Sequence, residues 1–237
     1  MSRFISWFAL LPALLAAALS AQANGFGINA TRLIYKEDAG SISTTVRNTE
    51  SKTPYLVQSS VSNQQQSWAP APFTVTPPLF RLEPQSINQL RISFKGAPLP
   101  RDRESIFYLH TKAIPSGAQG DNEQSANAIQ GNVHFGVGKI IKLFYRPAGI
   151  KGTSEAAQGG LTFERVAGGL KVSNPSSYFV SLAMLEADNK QLPLDSPAAL
   201  MLPPGGSHTW SVATARAIKW QTINDTGGNH EFSRTIP

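Results

Sequence analysis

The stretch Ile129-Gln130-Gly131-Asn132-Val133-His134-Phe135-Gly136-Val137-Gly138-Lys139-Ile140-Ile141-Lys142-Leu143-Phe144-Tyr145-Arg146-Pro147 decides how the chain is read. Through Val137 its odd positions are Ile129, Gly131, Val133, Phe135 and Val137, and its even positions are Gln130, Asn132, His134 and Gly136. One apolar face and one polar face at period two mark a β-strand with one covered side. From Ile140 on, both faces turn apolar, with Lys142 embedded among them, until Pro147 ends the run. Two readings are open. In one the strand lays its apolar face on its own core. Alternatively it is an edge strand that offers those residues to another protein, because an exposed hydrophobic edge is a liability unless something uses it.

The same texture continues on both sides. Short runs rich in Val, Ile, Thr, Phe and Tyr lie between Pro, Gly, Asn and Ser. Upstream they cover Gly27–Tyr35, Ser41–Thr49, Tyr55–Ser62, Phe73–Leu82, Asn88–Phe94 and Glu104–Ala113. Downstream they cover Gly160–Val166, Gly169–Asn174, Tyr178–Leu185, Ala199–Leu202, Ser207–Val212, Ile218–Ile223 and Asn229–Thr235. No long window shows a helical apolar period. The pattern predicts an all-β chain of two sandwich domains in series, 24–147 and 148–237, parted at Arg146-Pro147-Ala148-Gly149. Ser116–Ala128 and Lys151–Gly160 have loop composition.

At the N-terminus, Arg3 precedes an apolar run from Trp7 to Leu19 that contains Pro12, followed by Ala21-Gln22-Ala23. That is the layout of a secretory signal peptide over residues 1–23. The run is shorter than the roughly 18–20 residues a spanning helix needs, and no later stretch is long enough, so the chain is not expected to span a membrane. The 237 residues carry 21 Lys and Arg against 15 Asp and Glu, and the signal removes one cation. The cations are scattered without a run, which disfavours nucleic acid as a partner. With no cysteine, disulfide scaffolds, Cys zinc sites and thiol catalysis are excluded.

The inventory for catalysis is thin. His110, His134, His208 and His230 are dispersed without metal-ligand spacing. Gly136-Val137-Gly138-Lys139 resembles a phosphate loop, but Val133 stands where the first glycine is needed and Ile140 where Ser or Thr would hold magnesium. Neither metal, cofactor nor catalytic residue is expected. The remaining alternative to a binding function is an exported sandwich enzyme or carbohydrate-binding module, and Trp68, Trp210 and Trp220 fall in different segments. More informative are Arg32, inside Ile28-Asn29-Ala30-Thr31-Arg32-Leu33-Ile34-Tyr35, and Lys142. A cation within an apolar strand either snorkels to solvent or needs an anion, and two lining one cleft would suit a carboxylate.

Five motifs then add a family to the reading. Thr31-Arg32, Thr76-Pro77-Pro78-Leu79-Phe80-Arg81-Leu82, Leu99-Pro100-Arg101-Asp102-Arg103-Glu104-Ser105-Ile106-Phe107, Ile141-Lys142-Leu143-Phe144-Tyr145-Arg146-Pro147 and Ile223-Asn224-Asp225-Thr226-Gly227-Gly228 occur in that order. With them the chain resembles the periplasmic chaperones of the chaperone–usher pathway of pilus and fimbrial assembly, over essentially the whole sequence after the signal.

The resemblance implies two immunoglobulin-like sandwiches set at an angle, in a non-enzymatic, cofactor-free periplasmic protein. Its partners would be pilus subunits lacking their last strand and an outer-membrane usher. Val133, Phe135 and Val137 match the donor-strand residues that enter the subunit's groove. Arg32 and Lys142 match the pair that anchors the subunit's C-terminal carboxylate, and Glu104, Arg146 and Asp225 match an interdomain charge triad of structural role. An exposed donor edge also makes self-association of the client-free protein plausible. The chain departs from the family pattern at His110, where Asn is usual. It also has a long loop, 18 residues between Ile114 and Val133, as in the subgroup that builds thin fibres, yet lacks the disulfide common there.

Overall fold

The computed structural model describes residues 25–116 and 135–236. The expected signal segment, Val133 and most of the Ser116–Ala128 loop lie outside those residues.

Alternate side chains of the first strands turn inward, and two sheets close over them. One sheet runs in the order β1 (Phe26–Ile28), β3 (Ser41–Asn48), β7 (Ser86–Phe94), β5 (Phe73–Thr76). The facing sheet is β2 (Arg32–Lys36), β9 (Val137–Arg146), β8 (Ser105–Pro115), β4 (Tyr55–Ser62), β6 (Leu79–Leu82). Between them Val46, Val57, Leu90, Ile92, Leu109 and Leu143 are fully buried. An aromatic cluster closes one end, with ring centroids of Phe73–Phe107 and Phe94–Tyr145 at 4.9 Å and Tyr35–Phe73 at 5.4 Å.

The second sandwich has its own core, including Leu161, Leu170, Leu185, Leu202 and Trp220. Its smaller sheet is β10 (Thr162–Val166), β11 (Gly169–Ser173), β15 (Ser207–Trp210). The larger is β13 (Lys190–Gln191), β12 (Val180–Ala187), β16 (Ala217–Ile223), β17 (Asn229–Thr235), with β14 (Met201–Leu202) also on β12. The all-β, two-sandwich expectation is borne out. Trp210 and Trp220 are buried and donate their indole N–H groups to the carbonyls of Pro193 and Gln158, so neither forms a surface platform for a sugar.

Three expected strands are divided. Gly27–Tyr35 is two strands in opposite sheets: Phe26–Ile28 pairs with β3, and Arg32–Lys36 pairs with β9. Phe73–Leu82 breaks at Pro77-Pro78, which cannot donate to a ladder, and its halves also serve opposite sheets. In Ala199–Leu202 the first two residues close a helical turn, Pro197–Leu200, whose Ser196 Oγ accepts the N–H of Ala199. A short helix, Ser154–Gly159, lies in the stretch expected to be loop, capped by Thr153.

Candidate functional site

The long strand β9 changes company halfway along. Lys142 to Tyr145 lie between two neighbours: β8 on one side, and β2 on the other, where Arg32 pairs with Lys142 and Lys36 with Arg146 in parallel. Val137 to Ile141 pair with β8 alone, from Ala113↔Val137 to Leu109↔Ile141. Among the described residues no strand takes their other edge, which leaves a vacant lane collinear with β2 and ending where β2 begins.

The two faces of β9 also divide their tasks. Ile141, Leu143 and Tyr145 enter the core of the first sandwich. Phe144, on the opposite face, is buried against Phe179 of the second sandwich with centroids 5.6 Å apart. The doubly apolar run therefore serves its own core and the domain junction at once. Towards the N-terminus the chain is open: Val137 is 39 % exposed, Ile140 47 %, and Phe135, just before the strand, 82 %.

Arg32 and Lys142 come together at the end of the lane as paired residues of β2 and β9. They line a cavity of about 280 Å³ with Thr31, Tyr108, Ile223 and Gly227. Arg32 Nη1 donates to the carbonyl of Ile223 at 2.8 Å, its guanidinium lies 5.6 Å over the Phe144 ring, and its buried Nε has no partner. The Lys142 ammonium has no hydrogen bond or ion pair among the described residues. Burial holds both groups below their ordinary pKa. For Lys142 the charge of Arg32 adds to the effect, and for Arg32 the nearby Asp225 and Glu104 carboxylates oppose it. The two adjacent, half-buried cations thus have no ion pair among the described residues, an arrangement that burial makes costly. Gly227, which borders the same cavity, has φ +90°, and a Cβ there would collide with Thr31 Oγ1.

Glu104, Arg146 and Asp225 also meet, across the domain junction. Arg146 Nε donates to Glu104 Oε1 at 2.7 Å, and its Nη1 and Nη2 reach the two oxygens of Asp225 at 2.7 and 3.0 Å. The second Glu104 oxygen accepts the N–H of Phe179 at 2.9 Å, and Ser154 Oγ donates to Asp225 at 2.9 Å. Burial raises the Glu104 pKa against the pull of Arg146. Burial also acts to raise that of Asp225, but the bonds from Arg146 and Ser154 outweigh it and hold the carboxyl low. The Arg146 guanidinium is raised by its two partners despite burial. Asp225 sits in a hairpin loop built on Asn224, whose Oδ1 accepts the N–H groups of Thr226 and Gly228.

Several participants escape sequence reading. Phe179 and Ile223 contribute backbone groups, which leave no trace in residue type. Ser154, at the start of the short helix, and Tyr178, whose ring lies 5.1 Å from the Arg146 guanidinium, carry no signal of this role until the domains meet. A shared signal was legible elsewhere: Val46-Arg47-Asn48 and Val172-Ser173-Asn174 each place a buried Asn whose side chain ties three carbonyls at a strand end.

Comparison with known proteins identifies the family of both sandwiches. Residues 25–151 match the family described as pili and flagellar-assembly chaperone, PapD N-terminal domain, and residues 156–234 match the pili assembly chaperone PapD, C-terminal domain. The probable fimbrial chaperone LpfB of Escherichia coli O157:H7 is 36 % identical over 219 residues, covering 90 % of this chain and 89 % of that protein. A chain of the Salmonella enterica SafA pilin–SafB chaperone complex superposes with a TM-score of 0.74 at 32 % identity, covering 92 % and 99 % of the two chains. The E. coli chaperone DraB does so with a TM-score of 0.76 at 31 % identity, covering 90 % and 97 %. With both sandwiches matched in order, the chain belongs to the PapD-type family of pilus assembly chaperones.

Proposed function

We propose that this chain is exported behind a signal over residues 1–23 and works in the periplasm, with domains 24–147 and 148–237. There it caps pilus subunits by strand donation and passes them to an outer-membrane usher. One observation carries the reading: the vacant lane beside Val137–Ile141 ends at two cations without a counter-ion. A strand that enters this lane collinear with β2 runs parallel to β9 and terminates at Arg32 and Lys142. A C-terminal carboxylate suits that end, because charge-assisted hydrogen bonds to a partly desolvated anion are worth about 1.5–3 kcal/mol each. Pinned there, the strand cannot slip by two residues, so register follows from the anchor. Val133, Phe135 and Val137 then supply alternate side chains to the subunit's groove, while main-chain bonds supply affinity. Glu104, Arg146 and Asp225 hold the angle between the domains. The relative solved with a pilin supports a subunit as the client.

Co-expression with a pilus subunit encoded beside it tests the proposal. Wild-type protein carries the subunit through purification in near-equal amount, and Arg32→Ala protein, folded by circular dichroism, does not. Equal recovery by both proteins overturns the anchor. Without a client the same lane admits a second copy of the chain, and added subunit should dissolve any such oligomer in sedimentation.

A further inference from the structure

Resting on the reading of β9 as the client-binding edge, we propose that the client bears an acidic side chain close to its C-terminus, selected by Lys139 and Arg47. Two cavities lie along the open half of β9. One holds Arg32 and Lys142. The other, about 410 Å³ between β1 and β9, is walled by Phe26, Ile28 and Ile141 and bordered by Arg47 and Lys139. No carboxylate is among the described residues that line either cavity.

Four cations thus follow a single lane, and one terminal carboxylate accounts for only two of them. Arg47 Nη1 donates to the side-chain oxygen of Asn29, which is neutral, and Lys139 has no ion pair among the described residues. Register says where the second anion belongs. Because β2 already fills the place beside Lys142, the client's last residue lies beside Ile141, and the residue two positions earlier lies beside Lys139, about 7 Å up the lane. Cross-strand neighbours share a face. Lys139 shares its face with Ile141, the face that opens into the cavity Arg47 borders. An Asp or Glu at that client position therefore shares this cavity with both cations, beside apolar walls that limit screening by water.

Binding of synthetic twelve-residue peptides of alternating Thr and Val tests this. They carry Asp, Asn or Lys two positions before the last residue and end in a free acid or an amide. Wild-type protein should bind the Asp peptide about tenfold more tightly than the Asn peptide, the effect of one charge-assisted bond, and the Lys peptide least. Lys139→Gln should erase the Asp preference while amidation still weakens binding. Equal affinity for the Asp and Asn peptides, with amidation still harmful, overturns the acidic-client inference and leaves the anchor standing. An Asp preference that survives when amidation has no effect keeps Lys139 as selector and removes the anchor. If no peptide of the series binds, both fall.

Discussion

Lys142 shows how a residue can weaken the molecule that carries it. Its charge sits half-buried beside Arg32 with nothing to answer it, so its pKa is depressed in the free protein. A lysine that holds its proton less firmly when folded lowers stability below its folded pKa, and that cost is relieved as pH rises through the lysine range. Replacing it with an apolar side chain of similar length should therefore help the free protein. Lys142→Met is expected to raise the thermal midpoint by about 2–4 °C at pH 7 while abolishing recovery of the subunit complex. The gap between the two midpoints should narrow towards pH 10. A midpoint that falls would show that Lys142 is already satisfied without a client. The complex titrates the other way, since neutralising Lys142 removes half of the carboxylate's anchor, and subunit binding should weaken as pH climbs towards the lysine range.

At the scale of the element, β9 runs from solvent into a core, and the same substitution should read differently along it. Phe135 lies outside the strand and is largely exposed, so Phe135→Ala should change unfolding free energy by less than about 1 kcal/mol yet sharply reduce subunit capture. Leu143→Ala, eight positions on and fully buried, should cost about 2–5 kcal/mol. Chemical denaturation of both variants checks the contrast, and equal losses would mean that Phe135 packs internally. The second half of this strand was legible in the sequence, because the doubly apolar run from Ile140 with Lys142 embedded is visible residue by residue; the alternating stretch read as its first half is not part of the strand at Phe135 and Gly136, and 129–134 lie outside the described residues. The division of Gly27–Tyr35 was not. Asn29-Ala30-Thr31 contains neither proline nor glycine, and the change of sheet is imposed by partners far along the chain, β3 for one half and β9 for the other. The site shows the same limit: Arg32, Glu104, Arg146 and Asp225 announce themselves as charges, whereas the Phe179 N–H and the Ile223 carbonyl that hold them do not.

Across the whole molecule the Glu104–Arg146–Asp225 cluster joins the domains, supported by the Arg32 bond to Ile223 and by the N–H of Glu104 donated to the carbonyl of Ser177. Glu104→Ala strands a largely buried guanidinium edge and leaves the Phe179 N–H without an acceptor, which should cost about 3–5 kcal/mol and lower the thermal midpoint. An unchanged midpoint would mean that the three charges do not tie the domains. Asp225 governs an acid limb. Its carboxyl is held below the ordinary range, so its contribution is complete above about pH 4, the unfolded value, and disappears as pH falls through the folded one. Asp225→Asn should flatten that part of the stability–pH curve, measured as the difference from wild type so that the opposite trend of Glu104 cancels. The lane beside β9 has a further consequence, for the order in which the chain folds. The partner of β2 is made only at the far end of the first domain, so this sheet rests on distant contacts of the kind that form late and slowly. Until β9 arrives, β2 is an unpaired strand, and its docking along Lys142–Arg146 sets where the free edge of Val137–Ile141 stops. The end wall of the lane is therefore built last, so newly made chain should take up a subunit in fixed register only after its first domain has closed.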